Sequence, residues 1–203
     1  SVAESLLVGC QPVLVEGASD QHYLTAIKAL LVSAAKITPQ RELVFPPAGG
    51  AKTAKVVASI LTGRDEVLPV VLLDADATGK KFASSLKSEL YAESPSRVLS
   101  VSEFVGFDDS EIEDLFPPDF LADEMDRMER GPEERLADVI QVGIPFVGQV
   151  EAWAKAQGVT LDPHWKVHLA VRAKQRALNQ GIGKFGDDIV AKWVALFEAF
   201  ERK

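Results

Sequence analysis

The chain has 203 residues, 47% of them hydrophobic and 26% charged, enough for one large domain or two small ones with a substantial core. Its single cysteine, Cys10, excludes an internal disulfide and a cysteine-based zinc site, and it suits a reducing cytoplasm. A net charge of −8 argues against indiscriminate nucleic-acid binding, yet the charge is uneven: residues 103–135 carry 13 acids and 3 bases, residues 163–203 carry 8 bases and 4 acids.

Residues 12–16 (PVLVE) read as a short buried strand. From Ser19 onward, apolar residues at 23, 24, 27, 30, 31 and 34 give the period of an amphipathic helix, with Ser19 or Asp20 as its N-cap. "ELVFPP" reads as a second strand ended by prolines, and "AKTAKVVASILTG" as a helix closed by Gly63. "LPVVLLDAD" is the most strand-like run, "GKKFASSLKSELYA" a third helix and "RVLSVSEF" a fourth strand. The strands are near-continuous apolar runs, as parallel strands covered on both faces should be. The expectation is an α/β fold with a mainly parallel sheet flanked by helices. From about residue 117 the pattern becomes helical, over 118–130, 133–140, 146–157, 163–179 and 187–201. This predicts a sheet-bearing domain over 1–116 and an appended α-helical domain over 117–203.

No apolar run reaches the roughly 18 to 20 residues that a membrane span needs, and the first residues lack the basic region of a signal peptide. The start without Met suggests a processed chain or a piece of a longer protein.

In α/β sheets, ligands bind beyond the C-terminal ends of the strands. Glu16 and Asp74 both fall there, and Asp20 follows Glu16 by four residues. Asp74 and Asp76, two apart in extended chain, point the same way, and converging carboxylates repel unless a cation or a proton lies between them. The structural alternative for Asp76 is to cap a helix beginning at Thr78. Glu111 and Glu113 in "DDSEIEDLF" alternate about Ile112 in the same manner. Six carboxylates, Glu16, Asp20, Asp74, Asp76, Glu111 and Glu113, are enough for two hard divalent ions, Mg²⁺ or Mn²⁺.

Here the chain resembles a known family. "VLVEG" followed by a hydrophobic strand ending in "DAD" is similar to the Toprim pattern of primases, topoisomerases and related nucleases. With Asp20, "EIEDLF" and a late "GIGKFG", nearly the whole chain resembles the C-terminal region of the OLD (overcoming lysogenization defect) nucleases. The resemblance implies a Toprim domain beside a helical one, divalent-metal-dependent nicking and cleavage of DNA, and an ABC-type ATPase upstream. The nearest approach to a phosphate-binding loop here, "PPAGGAKTAK", lacks the required glycines, and Gly49-Gly50 reads as a turn between strand and helix. The resemblance also implies an active-site lysine, matched by context to Lys184, with Glu16 and Asp76 as the other catalytic residues. A plain loop with a solvated lysine is the alternative.

Arg172 and Arg176, one helical turn apart with Lys166 nearby, could contact DNA phosphates or form a solvated helix face. His164 and His168 lack the glutamate of a zinc motif, His22 reads as structural, and Trp153, Trp165 and Trp193 read as core. Two rival functions stand. "VVLLDADAT" also fits a haloacid-dehalogenase-like phosphatase, with Asp74 as nucleophile, Asp76 as general acid and "VGFDD" as its later acidic motif. The other is a non-catalytic, metal-dependent DNA-binding module.

Overall fold

The computed structural model describes residues 9–49 and 67–201. Four strands, β1 (Cys10–Leu14), β2 (Glu42–Val44), β3 (Val70–Leu73) and β4 (Val98–Ser100), form one all-parallel sheet in the order β2-β1-β3-β4. Val13 pairs with Val70, and Val71 with Val98. The chain leaves β1 toward β2 on one side, while β3 and β4 lie on the other. The strand order therefore reverses between β1 and β3, the position at which parallel sheets open a crevice.

Alternate residues of each strand cover opposite faces. Val13, Val15, Val70, Leu72 and Leu99 join one core with α1 (Ala18–Ser33). Leu14, Val71, Leu73 and Val98 join a smaller core with Phe82 and Leu86 of α2 (Ala77–Ser88). Burial on both faces is why β3 reads as an unbroken apolar run.

The rest is helical: α3 (Ser102–Val105), which falls in the run expected as the end of the fourth strand, and then, as expected, α4 (Pro118–Met128), α5 (Leu136–Val139), α6 (Phe146–Ala156), α7 (Trp165–Gln180) and α8 (Asp187–Phe200). Short 3-10 turns occupy Pro95–Arg97, Ile112–Leu115 and Ile182–Lys184. These helices extend the α1-side core. Phe45 of the sheet layer meets Phe197 and Phe200 of α8 at ring-centroid distances of 6.0 and 6.1 Å. Phe116 contacts Tyr23 of α1, Phe120 of α4 and Trp193 of α8. One hydrophobic core thus runs across residues 116 and 117, where the sequence pattern changes. Trp153, Trp165 and Trp193 are buried in it, and the Trp193 indole N–H donates to the Leu115 carbonyl at 2.7 Å. Each such aromatic, fully buried, contributes about 1.5–3 kcal/mol.

Several element limits differ from the sequence expectation. Strand β1 ends at Leu14, and Val15 makes only an isolated bridge to Pro47. Helix α1 starts at Ala18, with Gly17 rather than Ser19 or Asp20 at its N-cap, because Asp20 turns back to hold the preceding amides. Strand β4 stops at Ser100, where the Glu103 carboxylate accepts from the Ser100 amide and the chain enters α3. Glu111 and Glu113 are not alternating strand positions, since Ile112–Leu115 is a 3-10 turn. The helix expected over 51–63 lies outside the described residues. Among the described residues, no helix is long and apolar enough to cross a membrane.

Candidate functional site

Strands β1 and β3 end side by side at the strand-order reversal, and the segments just beyond their C-terminal ends build the site. Glu16 leaves β1 through Val15, and Asp74 comes directly after Leu73. The Asp74 amide donates to Glu16 Oε1 at 3.0 Å, so the first carboxylate spans the crevice and fixes the second residue. Gly49, at φ +63° in the segment after β2, donates its amide to the Glu16 carbonyl at 3.2 Å. That places the expected glycine turn against the backbone of Glu16; Gly50 lies outside the described residues.

The same construction repeats around the site. Asp20 Oδ2 accepts from the amides of Glu16 (3.0 Å) and Gly17 (3.1 Å), and its Oδ1 accepts from the Ser19 hydroxyl. Asp74 Oδ1 accepts from the Ile112 amide at 2.9 Å, and the Ala75 amide donates to the Ser110 carbonyl at 2.7 Å. These two bonds draw the acidic turn Ile112–Leu115 to the end of β3. Asp114 then takes the amides of Glu111 (2.8 Å) and Phe146 (2.9 Å), tying that turn to α6. Each carboxylate holds the backbone that presents the next.

The electrostatics are strained. Glu113 is 1% exposed, and neither of its carboxylate oxygens has a hydrogen-bond partner among the described residues. Burial pushes its carboxyl up to about 8; Lys166 opposes this, and Glu111 and Asp20 add to it. Burial pushes Asp74 up to about 10, with Asp20, Glu113, Glu16 and Glu111 adding repulsion. Burial also raises Glu16 to about 7 against the Asp74 amide, and it raises Asp20. An ionised carboxylate in such surroundings calls for a cation or a proton.

Lys166 of α7 supplies part of that charge. Its ammonium pairs with Glu111 Oε2, 55 residues away in sequence. Burial lowers its pKa, but Glu113, Glu111 and Asp74 outweigh that and raise it. Lys166 therefore sits in the site and not on an outer phosphate-gripping face. Tyr23 of α1 is also here. Its fully buried hydroxyl has no partner among the described residues, and burial, then Glu113 and Asp20, hold its pKa well above the usual value.

Other candidates fall elsewhere. Asp76 takes the capping alternative: its Oδ1 accepts from the Gly79 amide at 2.6 Å, and α2 starts at Ala77, one residue earlier than expected. Arg172 and Arg176 are engaged within the fold. Both pair with buried Glu124 of α4, at 3.2 and 3.3 Å, and Arg176 lies 4.6 Å over the Phe120 ring. They are struts between α7 and α4, with Arg176 also reaching Asp123 at 3.2 Å. Lys184 is exposed on the turn Ile182–Lys184 and makes no ion pair with a site carboxylate among the described residues. Asp109, in the segment that resembles a later phosphatase motif, pairs with Lys80 at 2.6 Å.

Four residues with a place in the site do not announce it in the sequence. Tyr23 reads as one more apolar position of α1, and Asp114 as one more acid in an acidic stretch. Gly79 permits a close approach: a Cβ there would lie 2.1 Å from the Asp74 carbonyl oxygen and 2.9 Å from Glu16 Oε1. Lys166 carries only its charge as a signal, because its position depends on α7 packing along α1.

The donor set suits a hard cation, being all oxygen, and the unpartnered Glu113 carboxylate is the atom pair that such an ion would satisfy. As the side chains stand, no three His, Cys, Asp or Glu among the described residues are gathered closely enough to hold one. Hydrogen bonds to amides and the Lys166 pair account for the arrangement of Glu16, Asp20, Asp74, Asp76 and Glu111. An open cleft of about 570 Å³ leads from Asp74 along α2, with Lys80, Ser84 and Lys87 on its wall. Comparison with protein-family models, with curated proteins and with solved structures found no match.

Proposed function

We propose that this chain is a divalent-metal-dependent DNA endonuclease region of Toprim type, the catalytic part of a longer ATPase–nuclease. One observation carries the reading: carboxylates from three chain segments meet at the reversal of a parallel sheet, and the deepest, Glu113, is buried without a partner among the described residues. Glu16, Asp74, Glu111 and Glu113 would hold Mg²⁺ or Mn²⁺, two ions in the full scheme, with Asp20 and Asp76 shaping the loops that present them. Bound ions supply Lewis acidity beside the scissile phosphodiester.

The chain's own residues do the rest. The Asp20 and Glu16 carboxylates hold the amides of Glu16 and Asp74 and so fix both sides of the crevice. The cleft along α2 gives a phosphodiester backbone a path to Asp74, with Lys87 and the Lys80–Asp109 pair on its wall. Lys184, exposed on its turn, can meet phosphate from solvent. The phosphatase alternative gives no task to Glu16, Glu111 or Glu113, and a buried cluster of that size is costly to keep without one.

The test is nicking of supercoiled plasmid in Mg²⁺, Mn²⁺, Ca²⁺ or EDTA, with Glu16→Ala and Lys184→Ala beside the wild type. Metal-dependent nicking lost in Glu16→Ala is the expected result, and loss in Lys184→Ala places that lysine on the substrate. A folded wild type that shifts plasmid in Mn²⁺ without cutting it is a DNA-binding module, and the nuclease reading fails.

A further inference from the structure

We propose that Lys166 is a built-in counter-ion of the carboxylate site, which holds Glu111 while no divalent ion is bound and competes with that ion for it. This rests on the metal-site reading above and adds how the site is kept folded and how occupancy is regulated.

The buried acids of the site would repel one another in a low-dielectric crevice with nothing between them. Among the described residues, Lys166 is the lysine that reaches them, pairing with Glu111 from α7 and lying close enough to Glu113 and Asp74 for both to act on its charge. Its ammonium is compact and mobile on a four-carbon stem, so it can leave one oxygen and take another without moving the helix. Glu111 is 15% exposed and Lys166 35%, so the pair is partly shielded from solvent. The pair is also specific in direction. It engages Glu111 Oε2, while the Glu113 oxygens beside it stay unpartnered among the described residues. A divalent ion that took both glutamates would gain the Glu113 oxygens and displace Lys166 from Glu111. Arg172 and Arg176, on the same helix, are committed to α4 and cannot substitute for it.

The experiment is isothermal titration of the full chain with Mn²⁺ alone, for wild type, Lys166→Met and Lys155→Met, alongside metal-free thermal melts. Lys155 lies on the exposed face of α6, so its loss removes the same charge without entering the site. Competition predicts that Lys166→Met lowers the metal-free Tm yet binds Mn²⁺ about tenfold more tightly or better, a difference of about 1.4 kcal/mol. Lys155→Met should bind as wild type does. Unchanged or weaker Mn²⁺ binding by folded Lys166→Met overturns the proposal and leaves the metal site standing. Equal tightening in both variants overturns it too, since overall charge would then be the cause. No Mn²⁺ binding by wild type removes the metal-site reading itself. A second measurement uses wild type alone: carbodiimide coupling should join Lys166 to Glu111 in EDTA, read by peptide mass spectrometry. Saturating Mn²⁺ should suppress that cross-link, and its persistence refutes displacement.

Discussion

Replacing Glu113 by Gln tests the central electrostatic claim, because it removes a charge while keeping the shape. In the unfolded chain the Glu113 carboxyl ionises near 4.5, and burial holds it protonated in the fold up to about 8. Between those values the folded state binds more protons than the unfolded state, so stability is greatest below pH 4.5 and falls as pH rises through the folded value. The loss is about 1.4 kcal/mol per pH unit, on the order of a few kcal/mol from pH 5 to pH 8. Gln carries no proton to lose. In EDTA, urea denaturation of Glu113→Gln should therefore match wild type near pH 5 and gain on it by roughly that amount at pH 8. Added Mn²⁺ should narrow or reverse the difference, since an ion that pairs with ionised Glu113 stabilises the wild type more than the Gln variant. A difference between the two proteins that is the same at pH 5 and pH 8 would refute the account of Glu113 as a buried, uncompensated acid.

Asp76→Ala removes the α2 cap and should cost about 1 kcal/mol, whereas Asp76→Asn keeps an acceptor for the Gly79 amide. Nicking lost in both shows that the charge matters, and full nicking by Asp76→Asn leaves Asp76 a cap alone. Gly79→Ala drives a methyl onto the Asp74 carbonyl and should cost about 1–3 kcal/mol or more by thermal melt, with nicking lost because Asp74 moves. Glu124→Ala removes one carboxylate partner from half-buried Arg176, which keeps Asp123 and the Phe120 carbonyl, and should destabilise by about 1–3 kcal/mol in urea denaturation. Arg172→Ala should leave the salt dependence of DNA binding unchanged, where a phosphate contact would reduce its slope.

The sheet is legible in the sequence because its strands are apolar on both faces, and period alone then separates them from the amphipathic helices. The carboxylate positions are legible because strand ends are where such sheets present polar groups, and Glu16 and Asp74 do meet there. The direction of each side chain is not. Asp74 and Asp76 look equivalent in extended chain, but β3 ends at Leu73, and the turn sends Asp76 to cap α2. Lys166, Arg172 and Arg176 look alike as basic residues of one helix. Packing against α1 and α4 gives Lys166 to the carboxylates and the two arginines to Glu124. That partition depends on side-chain contacts across 48 and more residues of sequence, which no local pattern encodes.

The site's carboxylates also hold up the fold, and this decides how any mutational series must be read. Asp20 holds the amides of Glu16 and Gly17, Glu16 that of Asp74, Asp74 that of Ile112, and Asp114 those of Glu111 and Phe146. Alanine at Asp74 releases one amide and alanine at Asp20 releases two, each of which must find another acceptor at a cost of about 1–3 kcal/mol, and either change displaces the next carboxylate along. Loss of activity in the alanine variant thus confounds charge with position. The Asn variants separate them, because the amide oxygen still accepts one backbone bond while the charge is gone. If charge is what the site needs, Asp74→Asn should lose nicking as fully as Asp74→Ala while keeping the wild-type melting temperature. If position is what matters, Asp74→Asn should retain nicking that Asp74→Ala loses. Glu113 holds no amide of the described residues in this chain of contacts. Its Gln and Ala variants should therefore lose nicking together, and survival of nicking in either would remove Glu113 from the chemistry.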